Sequence, residues 1–404
     1  FSIPAGLPIS SLATGVPAIG VPIKCSPPFG SNPATLYTDT LTLATNDPGQ
    51  PIVTYTLTCS AAPAYSSVPA ASSTIAFGPV TPSASKTLSI SNNGVGSLSV
   101  SQSVPFAVGS WFSVTSGLSI TTLNQGSPAV LVSITCTPPS GSNSATPYTD
   151  TLTLTTSDPS QSTVTYSLTC SAAPVFIPTP APSSTIAFGW VTSTAFKSIS
   201  ILNSGVGTLS ASQSGSFAVG SWFSINSGLP LSGFTQGSPA ALVSVKCAPP
   251  NGSNSAIPYT DTLTLSTNDP SQPTVHYTLT CSAAPVYSST PVPSSTIAFG
   301  SVATTGSQTI SILNSGVGAL SASQSPLFTA GSWFSVSSGT PIFGFHKGAP
   351  ALVVSITCAP PIGTNPTTLF VDTLTLSIND PAQPTAHYTL TCSAASVYSS
   401  TPAP

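Results

Sequence analysis

The residues able to do chemistry in this 404-residue chain fall in a strict register. Cysteine occurs as four pairs, Cys25 and Cys59, Cys136 and Cys170, Cys247 and Cys281, Cys358 and Cys392, each pair 34 residues apart and each set 111 residues beyond the last. Two thiols per period suit a disulfide in an oxidising, extracellular setting. Zinc competes, but a structural zinc site takes four Cys or His ligands, and His276 and His387 recur in two periods only. Aspartate takes two positions per period: Asp39, Asp150, Asp261 and Asp372 open a run of alternating residues, and Asp47, Asp158, Asp269 and Asp380 each precede a proline. The second set reads as Asx turns. The first caps backbone N–H groups or ligates calcium, which wants six to eight oxygens and meets one carboxylate here. Capping is the simpler assignment.

Enzymatic chemistry has little to work with. The chain has no Glu and no Arg, and a serine nucleophile needs both a base and a group to orient it. No Gly-rich phosphate loop and no metal-ligand cluster occur, so neither a catalytic site nor a cofactor is expected. Five lysines in all argue against nucleic acid, whose binding rests on cations neutralising phosphates. No apolar run approaches the roughly 18 residues of a spanning helix.

The elements that position these residues follow from periodicity. In residues 150–170, Leu152 and Leu154, then Val164, Tyr166 and Leu168, alternate with Ser and Thr around Asp158-Pro159. Period two with a central Asp-Pro turn predicts a β-hairpin closed by a cysteine. A full period read from Ser72 adds strand candidates at residues 74–77, 86–91, 97–100, 106–108, 111–114 and 130–136, with an Asn-Asn-Gly-Val-Gly turn at 92–96. Short strands with frequent turns and no helical period predict an all-β sandwich. Phe77, Phe106, Trp111 and Phe112 recur at fixed offsets, with Trp222 and Trp333 as later copies. Core packing is their plainest role; an exposed carbohydrate platform is the alternative.

Sequence order predicts four units: 1–71, 72–182, 183–293 and 294–404. The first lacks an equivalent of residues 72–111, since Phe1-Ser2-Ile3 aligns with Phe112-Ser113-Val114. With no Met and no signal peptide, Phe1 reads as a processed or truncated start. Cys136 and Cys170 share the parity of their inward neighbours, and both close strands running the same way. As next-but-one neighbours in one sheet they would sit almost 10 Å apart, beyond the roughly 4.4–6.8 Å a disulfide spans. The expected bonds Cys25–Cys59, Cys136–Cys170, Cys247–Cys281 and Cys358–Cys392 therefore join opposite sheets. Intermolecular pairing is the alternative.

The segments 60–71, 171–182, 282–293 and 393–404 are rich in Ser, Thr and Pro. They read as extended, semi-rigid spacers, which would string the units into a rod. The same composition is typical of O-glycosylated stalks, giving Ser66, Ser67, Thr179, Ser288, Ser289, Thr290, Ser399, Ser400 and Thr401 as glycan candidates, with Asn251-Gly252-Ser253 as one N-linked sequon. Covalent glycans would answer the near-absence of charge in a chain only 3% of whose residues are charged, since like-charge repulsion ordinarily keeps proteins apart.

The ordered segments IAFG, LSISNNGVGSLSVS, PFAV, VSITCTPPSG, YTDTLTLTTSDP and VTYSLTC resemble the immunoglobulin-like repeat of the ASPM–Hydin type, also found in bacterial choice-of-anchor D proteins. The resemblance spans the three complete units and the latter part of the first. It implies a seven-stranded Ig-like sandwich in tandem, used as a spacer or binding module on secreted bacterial proteins. Paired cysteines and near-absent charge depart from that pattern.

These features together predict a structural subunit of an extracellular, glycosylated fibre. Identical chains would join head to tail, with strands of a neighbour completing the first unit by strand complementation, or with residues 1–404 being a window of a longer chain. A cell-surface adhesin stalk and a carbohydrate-binding module using Trp111, Trp222 and Trp333 are the rival readings.

Overall fold

The computed structural model describes residues 1–254, 257–366 and 368–396. The glycan candidates Ser399, Ser400 and Thr401 lie outside them. Among the described residues the regular elements are all strands, beginning with the hairpin of β1 (Leu36–Ala44) and β2 (Ile52–Ser60). The next unit comprises β3 (Tyr65–Val68), β4 (Thr74–Val80), β5 (Ala84–Asn92), β6 (Leu98–Val104), β7 (Phe112–Ser116), β8 (Ile120–Leu123), β9 (Val130–Cys136), β10 (Tyr148–Thr156) and β11 (Thr163–Ala172). These form a four-stranded sheet, β3-β5-β9-β7, facing a five-stranded one, β4-β11-β10-β6-β8. The same pair of sheets recurs with strands from Phe176 to Ala283 and from Tyr287 to Ala394. This is a tandem Ig-like β-sandwich.

The alternation read in the sequence sets the register. Asp150 stands opposite Leu168, Leu152 opposite Tyr166 and Leu154 opposite Val164, so every second residue enters one core. Leu88, Ile90, Leu98, Val132, Ile134, Leu152, Leu154 and Tyr166 are fully buried there, each contributing about 1.5–3 kcal/mol. Cys136 on β9 bonds Cys170 on β11, bridging the two sheets with Cα atoms 6.6 Å apart. The other three pairs bond as their spacing implies.

Three expectations need correction. Residues 106–108 form a loop rather than a strand, from which Phe106 packs its ring 6.3 Å from that of Phe112. The strand β8 was not anticipated. Most important, segments 60–71, 171–182 and 282–293 are not spacers: each supplies the opening strand of the sandwich that follows. Tyr65, Phe176 and Tyr287 lie in their cores, and β3 pairs antiparallel with β5. The four-residue strand hides in a composition that usually signals extended linker.

Candidate functional site: joints between units and outer faces

Each sandwich begins where the previous one ends, and the chain enters it beneath the Asn-x-Gly-Val-Gly turn. A Cβ added at Gly205 would lie 2.5 Å from the Ala173 carbonyl oxygen, and one at Gly207 2.5 Å from that of Ala172. Only glycine lets the entering backbone approach so closely. Asn203, nearly buried, ties the assembly together. Its Oδ1 accepts the Val175 N–H at 3.1 Å and the Gly205 N–H at 3.0 Å, and its Nδ2 donates to the Gly207 carbonyl at 2.7 Å and the Phe234 carbonyl at 2.8 Å. Asn92 and Asn314 repeat the arrangement. In sequence this motif shows only as a turn, and the recurrence of Asn with both glycines is the signal of its further role.

The same turn receives a loop from the preceding unit. Gly141 donates its N–H to the Val206 carbonyl at 2.8 Å, and Thr208 donates to the Ser142 carbonyl at 3.0 Å. Ser142 and Gly207 thus form a parallel β-bridge across the joint. Ser31 with Gly96 and Ser253 with Gly318 form the other two. Side chains add to the second and third joints differently: at the second, Ser140 Oγ donates to Gln236 Oε1 at 3.1 Å and Asn268 Nδ2 to Ser144 Oγ at 2.8 Å, and at the third, Asn251 Nδ2 donates to the Lys347 carbonyl at 2.9 Å. The N-linked sequon therefore sits at the third joint.

The aspartates do more than turn the chain. Ser110 Oγ donates to Asp150 Oδ2 at 2.7 Å while Thr151 N–H reaches Oδ1, the capping role expected. Asp158 holds its own turn through Ser160 and also accepts the Tyr65 N–H at 2.8 Å. It thereby latches β3 to the far sheet. Asp269 and Asp380 latch Phe176 and Tyr287 at the same distance. Burial works to raise the Asp158 pKa, but the hydrogen bonds from Ser160, Tyr65 and Gln161 prevail and hold it below the ordinary carboxylate value. The latch was invisible to the sequence because its partner lies 93 residues away.

Beside the latch, Tyr65 OH and Tyr166 OH lie 2.7 Å apart and Ser67 Oγ lies 2.6 Å from Tyr166 OH. Tyr287, Tyr388 and Ser289 repeat the cluster. Burial raises the pKa of Tyr65 and of Tyr287. Phe176 removes one phenol from the middle unit, where burial pushes Tyr277 up to about 12.

The glycan candidates divide by face. Ser289 is buried and Ser67 is engaged, whereas Thr179, Ser288, Thr290 and Asn251 are exposed and Ser66 is half-buried. Trp111 stacks on Tyr148 at 4.8 Å, Trp222 on Tyr259 at 4.7 Å and Trp333 on Phe370 at 4.9 Å, so one face of each indole is covered by its own unit. His276 Nδ1 meets Thr264 Oγ1 at 3.0 Å, and His387 meets Thr375 likewise. A shallow cleft at the first joint, lined by Gly30, Asn32, Pro33, Ser97 and Asn124, contains no acid, base or thiol. Among the described residues no three His, Cys or Asp side chains gather as a metal site, and no helix is long and apolar enough to cross a membrane.

No family model and no curated protein matches the chain. Solved structures resemble it at low identity. Titin domains I67–I69 match at 7% identity and TM-score 0.31, over 84% of this chain and all of that one. Mouse cadherin-23 EC22–24 matches at 12% and 0.25, over 83% of this chain and all of that one. Protocadherin gamma B7 cadherin domains 1–4 match at 13% and 0.25, over 85% and 80%. These likenesses concern the fold alone.

Proposed function

We propose that the chain is a structural element of an extracellular, glycosylated fibre built from bacterial Ig-like repeats of the ASPM–Hydin kind. The observation that carries this reading is the joint. The same pair of backbone hydrogen bonds closes all three, with donor–acceptor distances between 2.8 and 3.0 Å. A bridge through main-chain groups fixes the angle between neighbours in a way a side-chain contact does not, and identical joints in series generate a regular rod. Four disulfides suit an oxidising exterior. Copies would meet head to tail, the half-buried inner face of the β1–β2 hairpin, where Tyr55 is exposed, accepting strands from a neighbour. Electron microscopy of material from the native source tests the reading. Helical polymers with a repeat set by the unit length are expected; isolated flexible rods carrying a distinct tip would replace the fibre by an adhesin stalk.

A further inference from the structure

The outer face of the five-stranded sheet is a lattice of hydroxyls. Thr151 faces Ser167, Thr153 faces Thr165 and Thr155 faces Thr163, all pointing away from the core by the same alternation that buries Leu152 and Tyr166. Thr151, Thr155, Thr163, Thr165 and Ser167 are exposed and Thr153 is half-buried. No described residue engages their side-chain hydroxyls. The rank recurs as Thr40–Thr56, Thr262–Thr278 and Thr373–Thr389. The cations of the complete units that sit on strands, Lys86, Lys197 and Lys246, belong to the opposite sheet. On β3 and its counterparts, alternate hydroxyls turn inward, as Ser67 and Ser289 do, to meet tyrosine.

We infer that this hydroxyl face is the principal O-glycosylation surface of the protein. The inference rests on the glycosylated-fibre reading and gives the sugars their place. The donor is an activated sugar, a sugar nucleotide or a lipid-phosphate-linked sugar. The bond from Thr Oγ1 to the anomeric carbon forms as the bond from that carbon to the phosphate oxygen breaks. The phosphate departs with the bonding pair, and the hydroxyl proton passes to the transferase's base. Directly opposite Cβ atoms on antiparallel strands stand only about 4.5–5.5 Å apart, so a sugar on one hydroxyl covers its partner. Each cross-strand pair takes one sugar. In the two later units the middle rank is occupied differently, because His276 and His387 hydrogen-bond Thr264 and Thr375, and those threonines stay bare.

Site-resolved mass spectrometry of the protein from its native source tests this. Sugar is expected on one member of each pair Thr151/Ser167, Thr153/Thr165 and Thr155/Thr163, and on neither Thr264 nor the buried Thr156. In that host, Thr153→Val moves the sugar to Thr165, and the double variant with Thr165→Val loses one sugar from the intact mass; valine keeps the β-branch the strand favours. Sugars confined to exposed hydroxyls such as Ser288 and Thr290 would overturn the inference and leave the glycosylated fibre standing. A bare chain would overturn both.

Discussion

Two hairpins in this molecule carry nearly the same sequence and live in different surroundings. In β10–β11, Leu152 pairs with Tyr166 and both are fully buried. In β1–β2, Leu41 pairs with Tyr55 in the same register, yet Tyr55 is 52% exposed. The carboxylates show the same contrast. Asp39 and Asp47 bond their local N–H groups through one oxygen, Thr40 and Gly49 being the donors. Asp150 and Asp158 make those bonds and also engage Ser110 and Tyr65 through the second oxygen. Local pattern therefore forms the hairpin, with all nine residue pairs of β1–β2 in register, but the core and the second bond to each carboxylate come from strands far away in sequence.

The comparison is broken most directly by removing the same tyrosine from both. Tyr166→Ala should destabilise its sandwich by about 3–5 kcal/mol, the cost of emptying a large core site. Tyr55→Ala should stay within about 0.5 kcal/mol. Thermal unfolding followed by calorimetry reads both; equal losses would mean the first hairpin belongs to a closed core after all.

Close in size is the disulfide. Replacing Cys136 and Cys170 together by serine should cost about 3–4 kcal/mol by the chain-entropy account of a loop of this length. Hydrogen exchange of the β10–β11 amides should accelerate accordingly. A double variant that protected those amides as well as the parent does would show that sheet packing alone holds the sandwich shut.

The Asp158 latch comes next. Asp158→Ala should cost about 1–3 kcal/mol by leaving the buried Tyr65 N–H unsatisfied, while Asp47→Ala changes little. Because the folded-state pKa of Asp158 is depressed, its contribution is present above the unfolded value of about 3.9 and is lost as pH falls through the folded one. Asp158→Asn keeps an acceptor for Tyr65 and should flatten that acid limb. At the alkaline end the sign reverses. Tyr277 stays neutral in the fold up to about 12, so its unit keeps full stability below the unfolded tyrosine value of about 10 and loses it as pH rises toward 12. Tyr277→Phe should remove that loss.

How far the sequence could reach follows from these contrasts. The hairpin register was legible because alternation and an Asp-Pro turn act within twenty residues. The cysteine pairing was legible in part, since shared parity combined with the reach of a disulfide requires any bond within a unit to join opposite sheets. The opening strand was not. Tyr65-Ser66-Ser67-Val68 is too short to show a period, and what makes it a strand is β5, the Asp158 carboxylate and the Tyr166 phenol. The joints were equally hidden, because they are made by main-chain groups of loops whose side chains carry no apolar pattern. Proline and serine looked like a spacer because composition reports solvation, and these residues are only half solvated.

The smallest effect separates main chain from side chain at the third joint. Asn251→Ala deletes one exposed hydrogen bond to the Lys347 carbonyl, a loss of about 0.5–1.5 kcal/mol at most. It leaves the bridge intact, where Gly252 donates to the Val317 carbonyl and Ala319 to the Ser253 carbonyl, each at 2.9 Å. Gly252→Val attacks the bridge itself. Its backbone sits at φ +80°, where a side chain is strained, and the new Cβ would lie 2.5 Å from His346 Nδ1. Distances between paired spin labels on the two units should therefore stay narrow in the alanine variant and broaden in the valine variant. Equal broadening in both would transfer the stiffness of the joint from its backbone to a single asparagine, and the regularity of the array would then rest on the side chains that differ from one joint to the next.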